Sequence, residues 1–202
     1  MIKCIISDLG NVIVKNHPMW MCKGLAKYSC LTARQIYERY IGSEDFHKTF
    51  SLGNTSNKEF YKNSLKKTKA KNLPQKRFER IYAGIFTNNI SYQKLLRKLK
   101  RNYKLILLSN TNTIHFNYKL KRLPVLNLFD SFVLSYRISS VKPSLKIYKA
   151  ALKESGFKAK ECVYIDDIKA YADAAKKIGV HGLHYTTTAK LKKDLRRLGV
   201  KL

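Results

Sequence analysis

The stretch IISDLGNVIV, residues 5–14, decides how the rest of the chain is read. With Ile2 in front of it, the apolar run Ile2–Ser7 reads as a buried strand that ends in an acid, Asp8. Alone, Asp8-Leu9-Gly10-Asn11 is an ordinary strand-to-turn signal, because those residue types suit tight turns. Its weight comes from what recurs downstream. Further strand-like runs are Lys104–Ser109, Phe132–Ser135, Cys162–Ile165 and Val180–Tyr185, with helical patterns between most of them. That alternation implies a parallel α/β sheet. In such sheets ligands bind beyond the carboxyl ends of the strands, where Asp8 sits.

The helical patterns are expected near His115–Leu126, from Pro143 to just before Gly156, over Ile168–Ile178, and at the end, where Leu191, Leu195 and Leu198 repeat at spacings of four and three. Between the first and second strands lie about eighty residues, far more than an ordinary connection needs, so this segment is expected to be a structure of its own. Thr32-x-x-Gln35 and Ser56-x-x-Glu59 are capping-box patterns, Pro74 opens a third helix carrying Phe78, Ile81, Tyr82 and Ile85 on one face, and a fourth is expected around Trp20–Tyr28. Tyr92, Leu95, Leu96 and Leu99 mark a helix returning to the sheet. The division expected is a core of residues 1–15 and 90–202 and a helical insertion of residues 16–89.

Three strand ends carry chemistry: Asp8, Ser109-Asn110 and Asp166-Asp167, with Lys142 ahead of the helix that joins the third and fourth strands. Magnesium prefers oxygen ligands, a few carboxylates with waters and phosphate, which Asp8, Asp166, Asp167 and the Gly10 carbonyl could supply. A carboxylate such as Asp8 can attack phosphorus if cations neutralise the transferring group. Lys142 is that point charge, and the Ser109 hydroxyl, Asn110 and the backbone N–H groups at Leu9 and Gly10 can donate to phosphoryl oxygens. Bland readings stand beside these. Asp166-Asp167 is also a good helix N-cap, Asn110 could cap the next helix, and Lys142 is one of many lysines. Three acidic or hydroxyl-bearing strand ends at one rim favour a site. His17, His47 and His115 are read as structural, and Trp20, Phe46 and Phe50 as packing.

IISDLGNVIV, LLSNTN (107–112), VKPSLKIYKAAL (141–152) and VYIDDIKAYADAAKKIGVHGLHY (163–185) resemble, in order and spacing, the four motifs of the haloacid dehalogenase-like (HAD) hydrolase superfamily. The DLGNV form is similar to the branch that includes bacterial glucose-1-phosphate phosphatases. The resemblance implies a Rossmann-like doubly wound sheet in the order 5-4-1-2-3, a cap inserted after the first strand, and a Mg²⁺-dependent phosphatase. It implies that Asp8 is the nucleophile, that Ser109 and Lys142 bind phosphate, and that Asp166 and Asp167 serve the metal. Two positions depart from the pattern. Gly10 stands where most such phosphatases carry a general-acid aspartate, and Tyr171 where relatives commonly carry asparagine. The competing reading is a weak or inactive relative that binds phosphorylated ligands, a protein partner or nucleic acid. Dehalogenation is disfavoured, since a haloacid gives no need for paired metal-binding aspartates.

Composition bounds the rest. There are 41 Lys and Arg against 13 Asp and Glu, a formal +28, which attracts phosphorylated ligands generally. The cations are spread along helical faces with no nucleic-acid module beside them, so nucleic acid is not the favoured partner. A small phosphorylated substrate is. No stretch reaches the ~20 apolar residues of a membrane span, and the cytoplasm is the expected location. Cys4, Cys22, Cys30 and Cys162 show no disulfide or zinc spacing and are expected in the core.

Overall fold

The computed structural model describes residues 1–41 and 44–202. Strand β1, Cys4–Ser7, is buried at all four positions, as a strand covered on both faces must be. It leads into β2, Val14–Asn16, which pairs antiparallel with β3, Phe86–Asn88. Among the described residues, five helices lie between these strands: α1 Pro18–Ala26, α2 Ala33–Ile36 running into a π-helical turn at Tyr37–Ile41, α3 Glu44–Ser51, α4 Asn57–Thr68 and α5 Gln75–Ala83. Then follow α6 Ile90–Leu99, β4 Lys104–Ser109, α7 Thr113–Tyr118, β5 Ser131–Leu134, α8 Ser135–Ile138, α9 Leu145–Ser155, β6 Cys162–Asp166, α10 Lys169–Lys176, β7 His181–His184 and α11 Thr188–Arg197. The main sheet is parallel, in the order β5-β4-β1-β6-β7. Taking its five strands in chain order, that is the expected 5-4-1-2-3.

Period-two alternation divides the strand side chains between two layers. Ile5, Leu105, Leu107, Val163 and Ile165 pack on Tyr92, Leu96 and Leu99 of α6 and Leu191 and Leu195 of α11. Cys4, Ile6, Ile106, Leu108, Cys162 and Tyr164 face Ile147 and Ala151 of α9 and Ala174 and Ala175 of α10. At the edge, β7 lies so close to α10 that a Cβ on Gly182 would fall 1.9 Å from the Ala172 carbonyl oxygen.

The helical insertion has a third cluster of its own, centred on Phe60, Phe78 and Tyr82 and joined from outside by Ile114 of α7. Phe60 stacks on Phe50 with centroids 3.9 Å apart and meets Tyr82 edge-on. The Thr32–Gln35 capping box forms in full, and Ser56 caps α4 by accepting from the Glu59 N–H.

Some expectations shift. The helix expected over His115–Leu126 is only α7, which stops where Lys119 leaves the helical region, followed by two 3₁₀ turns between which Pro124 holds Leu123 extended. Pro143 does not open α9. That helix starts at Leu145, since Pro143 lies inside a turn that the Ser144 N–H closes onto the Val141 carbonyl. Trp20 is 49% exposed and lies on the His17 ring rather than in a core, and Cys30, unlike the three other cysteines, is exposed.

Candidate active site

The parallel register sets the rim. Ser7 lies level with Leu107 and Ile165, so Asp8 leaves β1 next to the ends of β4 and β6. The Asp8 N–H continues the ladder by donating to the Ile165 carbonyl. β6 ends at Asp166, and Asp167 follows.

The loop before α9 brings Lys142 into this corner. Its Nζ lies 2.7 Å from Asp8 Oδ1 and 2.7 Å from Asp166 Oδ2. The three side chains are buried, with relative exposures of 6% for Asp8, 3% for Lys142 and 0% for Asp166. Asp8, Asp166 and Asp167 each present a carboxylate oxygen, all within 4.8 Å of one another. Three carboxylates against one buried ammonium leave an excess of negative charge, and the donors are all hard oxygens. That set fits a divalent cation such as Mg²⁺.

Neighbouring groups fix the carboxylates. Asp166 accepts from the Ile168 N–H at 2.8 Å and from the Tyr164 hydroxyl. Asp167 accepts from Asn11 Nδ2 at 3.1 Å, and Asn11, at φ +52°, accepts in turn from the Asn16 N–H. The rings of Tyr171 and Tyr164 lie 5.1 and 5.8 Å from Lys142 Nζ, close enough for cation–π attraction. Burial pushes the Asp8 carboxyl up to about 7, against the pull of Lys142 and with a further push from Asp166. Burial works against the Lys142 ammonium, but Asp8 and Asp166 outweigh it and hold its pKa above the usual lysine range. Burial also raises Asp167, despite its bond to Asn11. A bound dication would favour the ionised carboxylates and reverse these shifts.

Of the residues singled out in the sequence, Asp8, Lys142, Asp166 and Asp167 meet at one point. Leu9, Gly10, Ser109 and Asn110 line the adjoining cleft, a cavity of about 840 Å³ between the rim and the insertion. The Asn110 side chain is turned to the Lys142 backbone. The three histidines stand away from the carboxylates. His17 pairs with Thr87, His47 with the Tyr40 carbonyl and His115 with the Tyr82 carbonyl. Sequence reasoning missed Asn11 and Tyr164. Asn11 lay within the quoted motif, and Tyr164, two residues before Asp166 on one strand, shares its face by the same alternation that builds the layers.

The profile of the haloacid dehalogenase-like hydrolases matches residues 2–179. The D-ribitol-5-phosphate phosphatase of Bacteroides thetaiotaomicron is 26% identical over 187 residues, covering 89% of each chain. A HAD-like family hydrolase of Porphyromonas gingivalis superposes with a TM-score of 0.82 at 21% identity, covering 100% of both chains. A HAD family enzyme of B. thetaiotaomicron, solved with magnesium and inorganic phosphate, superposes with a TM-score of 0.77 at 22% identity, covering 93% of this chain and 96% of that one.

Proposed function

The chain belongs to the haloacid dehalogenase-like hydrolases, and on that premise we propose that it is a Mg²⁺-dependent phosphatase cleaving a small phosphate monoester through an aspartyl-phosphate on Asp8. The observation that carries this reading is the Lys142 ammonium bridging Asp8 and Asp166 at 2.7 Å each.

In this reading Asp8, Asp166, Asp167 and the Gly10 carbonyl would hold Mg²⁺, which when bound would neutralise charge on the transferring phosphoryl group. Asp8 attacks phosphorus with one carboxylate oxygen. Lys142 favours the ionised form of that carboxylate and counters charge on the phosphoryl oxygens, while the Ser109 hydroxyl and the N–H groups of Leu9 and Gly10 donate to them. Asn110 holds the Lys142 backbone in place. Water then attacks the aspartyl-phosphate and restores the carboxylate. Residues 16–89 act as a cap that walls the cleft and selects the alcohol part of the ester.

The DLGNV motif and the B. thetaiotaomicron relative both point to the sugar and polyol phosphates as the first compounds to assay. Four unpaired thiols suit a reducing cytoplasm. Gly10, with no carboxyl to act as general acid, supports one rival, a relative with little turnover that binds phosphorylated ligands.

Inorganic phosphate release from a panel of monoesters, with and without Mg²⁺, in wild type and Asp8→Asn, tests the reading. Turnover is expected to require both. Release that survives Asp8→Asn or chelation, or no release by folded wild-type protein, overturns it.

A further inference from the structure

One wall of the cleft that the phosphate site opens into has a definite chemistry. Tyr82 of α5 and His115 of α7 stack with centroids 4.3 Å apart and planes 13° from parallel, and Phe86 of β3 stands edge-on to His115 at 5.0 Å. Met21 and Ile85 line the same cavity. The polar atoms of this aromatic pair are already used inside the protein. Asn112 Nδ2 is 3.3 Å from both the Tyr82 hydroxyl and His115 Nδ1, and His115 Nε2 is 3.2 Å from the Tyr82 carbonyl. A carbonyl can only accept, so Nε2 carries the proton and Nδ1 accepts from Asn112. The ring is therefore held neutral.

A polyol hydroxyl laid over these ring faces finds no partner in them, at about 1–3 kcal/mol for each one left unsatisfied, although Lys48, Ser51 and Ser144 line other parts of the cleft. A flat ring would stack there instead.

A second observation concerns the proton. Gly10 leaves no side chain beside Asp8, and, apart from the three carboxylates gathered at Lys142, no described residue lining the cleft carries a carboxyl group. His115 has no proton to give toward the ester, because its one N–H points at a backbone carbonyl. His47, the other histidine of the cleft, is directed to the Tyr40 carbonyl. Losing a general acid typically costs 10²–10⁴-fold when the leaving group is a basic alkoxide. A phenol, with a pKa near the ~10 of tyrosine, departs as its anion with much less need of help.

We propose that the substrate is an aryl phosphate, the monoester of a phenol, whose ring lies against the Tyr82–His115 pair. This rests on the phosphatase reading and narrows it. An Asp8 oxygen forms the bond to phosphorus as the bond from phosphorus to the phenolic oxygen breaks. The electron pair leaves on the phenolate, which takes its proton from water after release. Water then adds to phosphorus, the Asp8 carboxylate departs, and inorganic phosphate carries one water proton while the other goes to solvent.

The test compares kcat/KM, with Mg²⁺, for unactivated phenyl phosphates of graded phenol acidity, ribitol 5-phosphate and glucose 1-phosphate. Glucose 1-phosphate separates the two arguments, because its leaving group is only weakly basic but polar. The proposal expects phenyl phosphate to exceed both polyol esters tenfold or more, and the rate to fall as the phenol becomes more basic. In Phe86→Ser the ratio of aryl to glucose 1-phosphate activity should drop at least fivefold. If that variant does not fold, phenol itself should compete with substrate in wild type, and ribitol should not. A smaller aryl preference, a rate independent of phenol acidity, an unchanged ratio in the folded variant, or the absence of phenol competition overturns the aryl assignment while leaving the phosphatase standing. Failure to release phosphate from any ester removes both.

Discussion

Asn110 holds the backbone of Lys142 from both sides. Its Oδ1 accepts the Lys142 N–H at 2.8 Å while its Nδ2 donates to the Lys142 carbonyl at 3.2 Å. The ammonium that bridges Asp8 and Asp166 is thus aimed by a residue at the end of another strand. Asn110→Ala should therefore lower kcat by ~10–100-fold, the scale on which displaced positioning groups act, with little change in KM. Steady-state kinetics with Asn110→Asp alongside would separate the two contacts, because the aspartate keeps the acceptor and loses the donor.

Among the described residues Lys142 is the only ammonium at the three clustered carboxylates, and removing it leaves them without that counter-charge. Lys142→Met is expected to destabilise the metal-free protein by about 3–5 kcal/mol, the range for breaking a buried ion pair. Mg²⁺ should return part of that loss by countering the same charge. Denaturant titrations with chelator and with Mg²⁺ measure both effects, and equal stability of variant and wild type in chelator would contradict the prediction.

His115 sets an acid limit on stability. Burial lowers its pKa to about 3 from the 6.5 of a free histidine. The unfolded chain binds a proton below pH 6.5 and the native ring resists until about 3, so this contribution to stability is intact above 6.5 and is lost as pH falls toward 3. The slope is at most ~1.4 kcal/mol per pH unit, and less to the extent that cleft water reaches the ring. His115→Gln should flatten the difference in melting temperature between pH 7 and pH 4.5.

A carboxyl group can be added where Gly10 now stands. A Cβ there would come within 3.0 Å of Asn16 Nδ2, a side-chain tip that can move. Gly10→Asp combined with Asn16→Ala makes the room and supplies a general acid. Turnover of alkyl phosphates should rise ~10-fold or more relative to phenyl phosphate. Paired assays of ribitol 5-phosphate and phenyl phosphate read that ratio, and no rise would mean that the position does not reach the leaving group.

Gly182 has no space for a methyl group, since the Ala172 carbonyl oxygen lies 1.9 Å from where a Cβ would sit. Gly182→Ala forces β7 and α10 apart and should cost about 3 kcal/mol. Thermal melting checks it, with Gly156→Ala as a contrast. Gly156, at φ +74°, has nothing within 4 Å of an added Cβ, so that variant reports backbone strain alone.

The centre of the sheet was legible because β1, β4 and β6 are buried on both faces and appear as unbroken apolar runs such as Leu105–Leu108. The carboxylates were legible because they stand where those runs stop. The three-residue strands β2 and β3 were not, since Val14–Asn16 and Phe86–Asn88 are too short to show a period. The starting point of α9 was not legible, because Pro143 suits the first turn of a helix as well as the turn that Ser144 closes onto Val141. Tyr164 read as core and is core by its ring, yet its hydroxyl reaches Asp166, because a phenol is apolar along its body and polar at its tip. Asn11 looked like a turn residue and is one, at φ +52°, while its amide also steadies Asp167.

The insertion's separate aromatic core bears on how such a protein can change over generations. Tyr82 and Ile85 belong to the cluster around Phe60, whereas Asp8, Asp166 and Lys142 are set by the central strands and the α9 loop. Drift in the first group alters what the cleft admits without touching the residues proposed to break the bond. Selection can then explore new substrates one wall residue at a time, with the cluster of carboxylates around Lys142 inherited intact.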